Sequence, residues 1–377
     1  MTTLSKLELL GLNNQELTEL VVSFGEPRFR AAQLFDALYR QRLASLEQIS
    51  TLPKSLRSRL SSLGYSTGFP GTAASFLSQD GTVRYLVSFS DGQSVETVWM
   101  PEGDGVEDTE ELLPGAPASP SAPSSATNRR GTICLSSQSG CAVNCRFCMT
   151  ALLGLQRNLS PGEILGQVLL VLNHQQIVIG RDRINLVFMG QGEPFLNYDN
   201  FIRAVQLLVQ GAGIPESRMT VSTSGIVPRI ADFGREPIRP HLAISLNASN
   251  DVLREGIMPI NRKWNLDTLI GAARDFPLRS RERLTFEYVL LSGVNDAPEN
   301  AREVIALLRG IRAKVNLISL NPGPGIPFQT PTTAAVELFQ QTLIDAGIPA
   351  YLRRPRGLDI YAACGQLKRT TQLVALP

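Results

Sequence analysis

Cys141, Cys145 and Cys148 stand in the run Cys-Ala-Val-Asn-Cys-Arg-Phe-Cys. A C-x3-C-x2-C spacing lets three thiols converge from one loop onto a single inorganic centre. A [4Fe–4S] cube has four irons, and cysteines usually take all four. Three thiolates therefore leave one iron open to a small molecule. A structural zinc would want a fourth Cys or His close by, and neither His174 nor His241 has a zinc-finger spacing to the triad. Cys134 and Cys364 need separate reasons.

The triad resembles that of the radical S-adenosylmethionine (SAM) superfamily. The resemblance implies that the open iron chelates the amino and carboxylate groups of SAM, and that an electron from the cluster cleaves SAM to a 5′-deoxyadenosyl radical. A zinc knuckle or three unrelated thiols is the competing reading, and metal-ligand spacing in an intracellular chain weighs against it.

The positioning elements must come from a chain of 377 residues, 43% apolar and 19% charged, which suits one large domain plus a small one. Apolar runs such as 164–172 are too short and broken to span a bilayer, and the N-terminus lacks the order of a secretion signal. Five cysteines, three of them clustered, point to a reducing compartment, and the cytoplasm is the expected location. The net charge of +2 is small but unevenly spread. Arg28, Arg30, Arg40, Arg42, Lys54, Arg57 and Arg59 gather near the N-terminus. Arg353, Arg354, Arg356, Lys368 and Arg369 surround Cys364. Two basic patches suit a phosphate backbone, although solvated helix faces explain them almost as well.

Residues 1–65 read as a small helical domain, with a cap region at Asn14-Gln15-Glu16 and apolar residues at helical spacing from Phe29 to Leu38. Residues 66–102 change period. Runs at 74–78, 83–89 and 95–100, punctuated by Asp80-Gly81 and Asp91-Gly92, predict an antiparallel meander. Alternation in the third run turns Glu96 toward solvent. Residues 103–128, acidic and then rich in Pro, Ala and Ser, read as a mobile insertion. Residues 129–377 alternate β-branched runs (131–136, 184–189, 219–222, 242–246, 284–290, 315–319, 350–353) with helical stretches (161–174, 200–209, 265–273, 298–309, 333–346). This predicts an α/β fold with a parallel sheet. Polar or Gly-rich clusters follow most strands, where βα barrels gather their function.

One cluster is Met189-Gly190-Gln191-Gly192-Glu193-Pro194, whose glycines let backbone approach a ligand and whose carbonyls, with Glu193, can accept bonds from an ammonium group. Alone it is weak evidence. The runs RGTICLSSQSGCAVNCRFCMTALLGLQRNL, FMGQGEPFLN, STSGIVP, SLNASND, IMPINRKWNL, YVLLSGVND, NPGPG and DIYAACGQL together resemble the RlmN/Cfr family, radical SAM methyltransferases acting on an adenine of RNA.

The resemblance implies a partial (β/α)6 barrel with an N-terminal helix-hairpin-helix-like accessory domain and a small antiparallel extension. It implies a [4Fe–4S] cluster on Cys141, Cys145 and Cys148, and two SAM molecules per turnover. SAM contacts carry over to Gly192, Glu193, Ser222, Ser245, Leu246, Asn247 and Asn321. The family commonly has His where this chain has Asn247, and Ser224 shares a turn with Ser222. Cys364 matches the cysteine that is methylated, Cys134 its resolving partner, and Glu96 the proton acceptor, which revises the solvent-facing reading of Glu96. Burial against Val95, Val98 and Trp99 would raise its pKa and help it as a base.

Because C2 of adenine is not nucleophilic, the implied route places a methyl on Cys364 first, then makes a methylene radical that adds to C2. Glu96 takes the ring proton. Cys134 cuts the enzyme–RNA bridge by attacking sulfur, leaving a transient Cys134–Cys364 disulfide. The implied substrates are 23S rRNA at the peptidyl transferase centre and tRNA beside the anticodon, with an external electron donor, no membrane partner and a monomeric enzyme. A C8-directed methyltransferase is the alternative within the family, and a non-catalytic iron–sulfur RNA-binding factor the alternative outside it.

Overall fold

A computed structural model describes residues 7–102 and 128–367. Of the 103–128 insertion, only Asn128 falls among them, and Lys368 and Arg369 also lie outside.

The chain opens with β1 (Leu7–Glu8), α1 (Asn14–Ser23), α2 (Phe29–Tyr39), α3 (Lys54–Ser62) and β2 (Tyr65–Ser66). Asn13 caps α1, accepting from Glu16 N while the Glu16 carboxylate accepts from Asn13 N, so the cap lies one residue before the expected region. β1 and β2 pair in parallel, a two-residue bridge between distant positions that periodicity does not signal. Leu17, Val21, Leu34, Leu38, Leu56 and Leu60 join the same hydrophobic core as the main sheet. The join is close. Gly11 has φ +103°, and a Cβ there would meet the Gly162 amide nitrogen at 2.9 Å. Arg30, Arg42 and Arg57 are half-buried and donate to main-chain carbonyls, so the basic count overstates the charge this face presents outward.

β3 (Gly71–Leu77), β4 (Val83–Ser88) and β5 (Ser94–Pro101) form the expected meander, with Gly81 and Gly92 at positive φ in its two turns. Next come β6 (Arg130–Cys134), β7 (Gln138–Gly140), β8 (Leu155–Asn158), α4 (Pro161–His174), β9 (Arg183–Phe188), α5 (Tyr198–Gln210), β10 (Met219–Thr223), α6 (Val227–Gly234) and β11 (His241–Ser245). The chain continues through α7 (Asp251–Ile257), α8 (Leu266–Arg274), β12 (Leu284–Leu290), α9 (Pro298–Leu308), β13 (Ala313–Ser319), α10 (Thr333–Asp345) and β14 (Ala350–Leu352).

One ten-stranded sheet, in the order β14-β13-β12-β11-β10-β9-β6-β5-β4-β3, carries nearly all of this. β6 and β9 to β14 are parallel, and the meander continues the sheet beyond β6. It is an open, partial barrel with an antiparallel wing. Helix α4, buried along most of its length, separates the sheet from the N-terminal helices. No helix among the described residues is long and apolar enough to cross a membrane.

The polarity of β5 decides where Glu96 stands. β5 runs antiparallel to β6, with Val98 opposite Cys134 and Pro101 opposite Gly131. Its first half therefore lies at the carboxyl ends of the parallel strands. Both faces of β5 are covered, so alternation misleads and Glu96 is fully buried.

Candidate active site

The triad occupies a loop pinched at its base. β7 and β8 pair on either side of it, and Cys141 N donates to Gly154 O (3.1 Å). A Cβ at Gly140 would fall 1.7 Å from that carbonyl, so only glycine allows the pinch. Arg146 N bonds Ile257 O (2.9 Å) and ties the loop to the end of α7. Burial, and then the charges of Cys148 and Cys141, push the Cys145 thiol well up, while Cys141 is pushed up to about 12, chiefly by burial. Such a set ionises together only around a cation, which fits a metal centre. No three His, Cys, Asp or Glu side chains among the described residues gather tightly enough for one ion; a cube, by contrast, offers each thiolate its own iron. His174, packed edge-on against Tyr85, and His241, beside Glu282, lie at the opposite end of the sheet.

The glycine turn after β9 faces this loop. Gly190 N bonds Leu135 O (2.9 Å), and the Gln191 carbonyl accepts from Ser137 N (2.8 Å). Gly192 has φ +101°, and a Cβ there would meet the Gln138 backbone nitrogen at 2.7 Å. Glu193 is buried, and its carboxylate accepts from Phe195 N (3.0 Å), Ser224 N and Ser224 Oγ (both 2.7 Å). It thus fastens the ends of β9 and β10 together, and carbonyls of the turn are left for a ligand ammonium. Ser224 is committed to Glu193, whereas Ser222 points elsewhere.

Ser222, on β10, donates to Glu287 (2.8 Å) and lies 3.2 Å from Ser245 Oγ on β11, forming a polar layer in the barrel interior. Asn247, at φ +56°, is a residue type that tolerates this left-handed backbone. Its side chain accepts from Val289 N (2.8 Å) and donates to Met258 Sδ (3.2 Å), while its N–H donates to Glu287 O (3.2 Å) and its carbonyl accepts from Asn295 Nδ2 (2.7 Å), so it serves the fold. Leu246 is buried behind it.

Sequence reasoning missed Arg254, a fully buried residue of α7. Its guanidinium donates to the carbonyls of Leu246 (3.1 Å), Ser224 (2.7 Å) and Ser245 (3.1 Å) and to Asn261 Oδ1 (3.1 Å). Burial lowers its pKa to about 10, leaving it cationic at neutral pH. It locks the strand ends that carry the expected SAM contacts and lies within electrostatic reach of Cys145. DVLREGI offers no periodic cue for such a role.

The segment bearing Cys364 crosses the inner face of the wing. Ile360, Ala362 and Leu367 pack on Val98, with Phe76, Met100 and Cys134 against the same cluster. Asn321 Nδ2 donates to Cys364 O (3.0 Å), Met149 N to Gly365 O (2.7 Å) and Thr150 Oγ1 to Leu367 O (2.8 Å). At its other end, Ser78 Oγ donates to Asp359 (2.5 Å) and Gly357 N to Asp80 (3.0 Å). Cys364 and Cys134 are free thiols. Cys364 is an exposed residue, and the protein packed around its thiol, then the charge of Glu287, push it up to about 11. Burial, and then the charge of Cys364, pushes Cys134 up as well. Cys134 packs against the cluster formed by Ala362 and Leu367 on either side of Cys364, so the two thiols belong to one region, with Glu287 acting on both.

Glu96 is buried, not turned to solvent as strand alternation alone suggests, and it has a partner that was not foreseen. Arg84 Nη1 donates to its Oε1, Gln191 Nε2 reaches Oε2 (3.4 Å), and its carbonyl accepts from Ser136 Oγ (2.6 Å). A guanidinium beside a carboxylate favours the ionised form, which opposes the rise expected from burial alone. The hairpin register held a cue: Leu86 lies opposite Glu96, placing Arg84 on the same face, one diagonal away.

A (β/α) barrel with three thiols in the loop after its first strand and a glycine turn after its second defines a radical SAM enzyme. Residues 135–305 match the Radical SAM superfamily, and residues 7–65 the "Ribosomal RNA large subunit methyltransferase N-terminal domain". A protein of Koribacter versatilis described as "Probable dual-specificity RNA methyltransferase RlmN" is 64% identical over 352 residues, covering 93% of this chain and 99% of that one. The "Dual-specificity RNA methyltransferase RlmN" of Anaeromyxobacter dehalogenans is 42% identical over 96% of this chain and 91% of its own. The crystal structure of a radical SAM methyltransferase from Sphaerobacter thermophilus superposes with a TM-score of 0.85, at 40% identity over 97% of this chain and 100% of that one. The chain belongs to the RlmN family.

Proposed function

We propose that this protein methylates C2 of an adenosine in 23S rRNA and of the adenosine 3′ of the tRNA anticodon, consuming two SAM molecules per turnover. Cys141, Cys145 and Cys148 would hold a [4Fe–4S] cluster, which when bound supplies the electron for SAM cleavage. Gly192, Ser222, Ser245, Asn247 and Asn321 line the space for SAM, and Glu193 fixes the turn beside it.

Cys364 accepts the methyl group on sulfur and carries it to the base. Glu96 takes the ring proton once carbon is joined to carbon; Cys134 then attacks the Cys364 sulfur, the S–S bond forming as the S–C bond breaks, and the freed carbon takes a proton to become the methyl group of the RNA. Residues 1–65 would contact RNA as an accessory domain. The observation that carries this reading is that Cys134 packs against the hydrophobic cluster of the Cys364 segment, which is itself hydrogen-bonded to the loop of the triad. A non-catalytic RNA-binding factor has no need of that pairing.

The test is RNA methylation by reconstituted protein with methyl-labelled SAM. Wild type is expected to yield 2-methyladenosine, while Cys364→Ala yields none and keeps a normal cluster spectrum. Label at C8, or full activity in Cys364→Ala, overturns the assignment.

A further inference from the structure

Arg84 is fully buried on β4, with its guanidinium 4.4 Å from the Phe76 ring centroid. Its Nη1 donates to Glu96, while Nε and Nη2 lack hydrogen-bond partners. A guanidinium offers five N–H donors in a rigid fork, and buried ion pairs are stable only when the remaining donors are satisfied as well. This cation is held out of water for one carboxylate, an arrangement poorly suited to a purely structural role.

On the other side, Gln191 reaches Glu96 Oε2, and Gln191 N donates to Ser136 Oγ, whose hydroxyl donates to Glu96 O. Glu96 is thus gripped from two directions. The wing supplies a cation through β4, and the glycine turn supplies an amide from the side where SAM is expected.

We infer that Arg84 is the positioning residue of the proposed base, holding Oε1 of Glu96 and turning Oε2 toward the glycine turn. This rests on the reading of Glu96 as proton acceptor. The step served is one proton transfer: the C2 proton of the joined base passes to the Glu96 carboxylate, and the C–H electron pair stays with the ring. Methylation of Cys364 and cleavage of SAM precede that step and do not depend on Arg84.

The experiment uses the full-length, anaerobically reconstituted enzyme with its RNA and methyl-labelled SAM. Arg84→Gln is expected to methylate Cys364 and to release 5′-deoxyadenosine at wild-type levels. Its denaturant-resistant enzyme–RNA adduct should resolve about 100-fold more slowly, the usual scale for a lost acid–base contribution. Arg84→Lys, which keeps the charge, should recover most of that loss. Adding Arg84→Gln to Glu96→Gln should slow resolution no further, as expected of residues acting as one unit.

Adduct resolution at the wild-type rate in a folded Arg84→Gln protein overturns the inference. So does a parallel loss of Cys364 methylation, which would make the role merely structural. If Arg84→Gln does not fold, Arg84→Met, which keeps an unbranched side chain without the charge, takes its place and is read against the same two outcomes. Absence of a methyl on Cys364 in the wild-type enzyme would instead strike the proposed function itself.

Discussion

The amide of Met149 donates to the carbonyl of Gly365 across 2.7 Å. One residue past the last cysteine of the triad is therefore bonded to one residue past Cys364. With Thr150 Oγ1 on Leu367 O, this makes a two-point seam between the metal loop and the proposed methyl carrier.

Thr150→Val should loosen that seam. Leaving the buried Leu367 carbonyl without its donor costs about 1–3 kcal/mol, spent locally. Cys364 methylation, followed by mass spectrometry of its peptide, is expected to slow, while the cluster absorption and EPR spectra stay unchanged.

Gly192→Ala combines a left-handed backbone with a Cβ that has no room beside Gln138. The strain is about 1–3 kcal/mol, relieved by moving the turn. SAM affinity, measured by equilibrium dialysis, is expected to fall at least about tenfold.

Thiol reactivity tests the neighbourhood of Cys364. With its pKa pushed up to about 11, chiefly by burial and next by Glu287, the group is protonated at neutral pH. Peptide-resolved alkylation of Cys364 should accelerate about tenfold per pH unit and level off only above that midpoint, because the thiolate is the nucleophile. Glu287→Gln removes a neighbouring negative charge, so the midpoint should move down.

Arg254→Leu strips donors from three carbonyls and Asn261 at once, each worth about 1–3 kcal/mol when left buried and unpaired. Thermal unfolding of the metal-free protein should occur at markedly lower temperature. Arg254→Lys should recover little, since an ammonium cannot match the fork of a guanidinium.

The parallel strands and helices were legible because their apolar periods are long and unbroken; α4 was read at the bounds it adopts, 161–174. The triad and the glycine turn were legible because a metal loop and a ligand turn are local in sequence. What stayed hidden needs distant segments together. Arg84 becomes a partner of Glu96 only through hairpin register, and Glu96 is buried because β5 is covered on both faces. Arg254 matters only once two strand ends, those of β10 and β11, converge on it. Asn247, read as a departure from the family pattern, turns out to satisfy its own amide within the fold.

The reversed course of β5 reaches beyond the base it carries. Glu102 N bonds Arg130 O, and Pro101 stands opposite Gly131, so the stretch joining β5 to β6 is rooted at the amino ends of the parallel strands. The proposed site lies at one pole of the sheet and the two roots of that stretch at the other. A fluorescent reporter spliced between residues 103 and 127 should therefore leave turnover untouched.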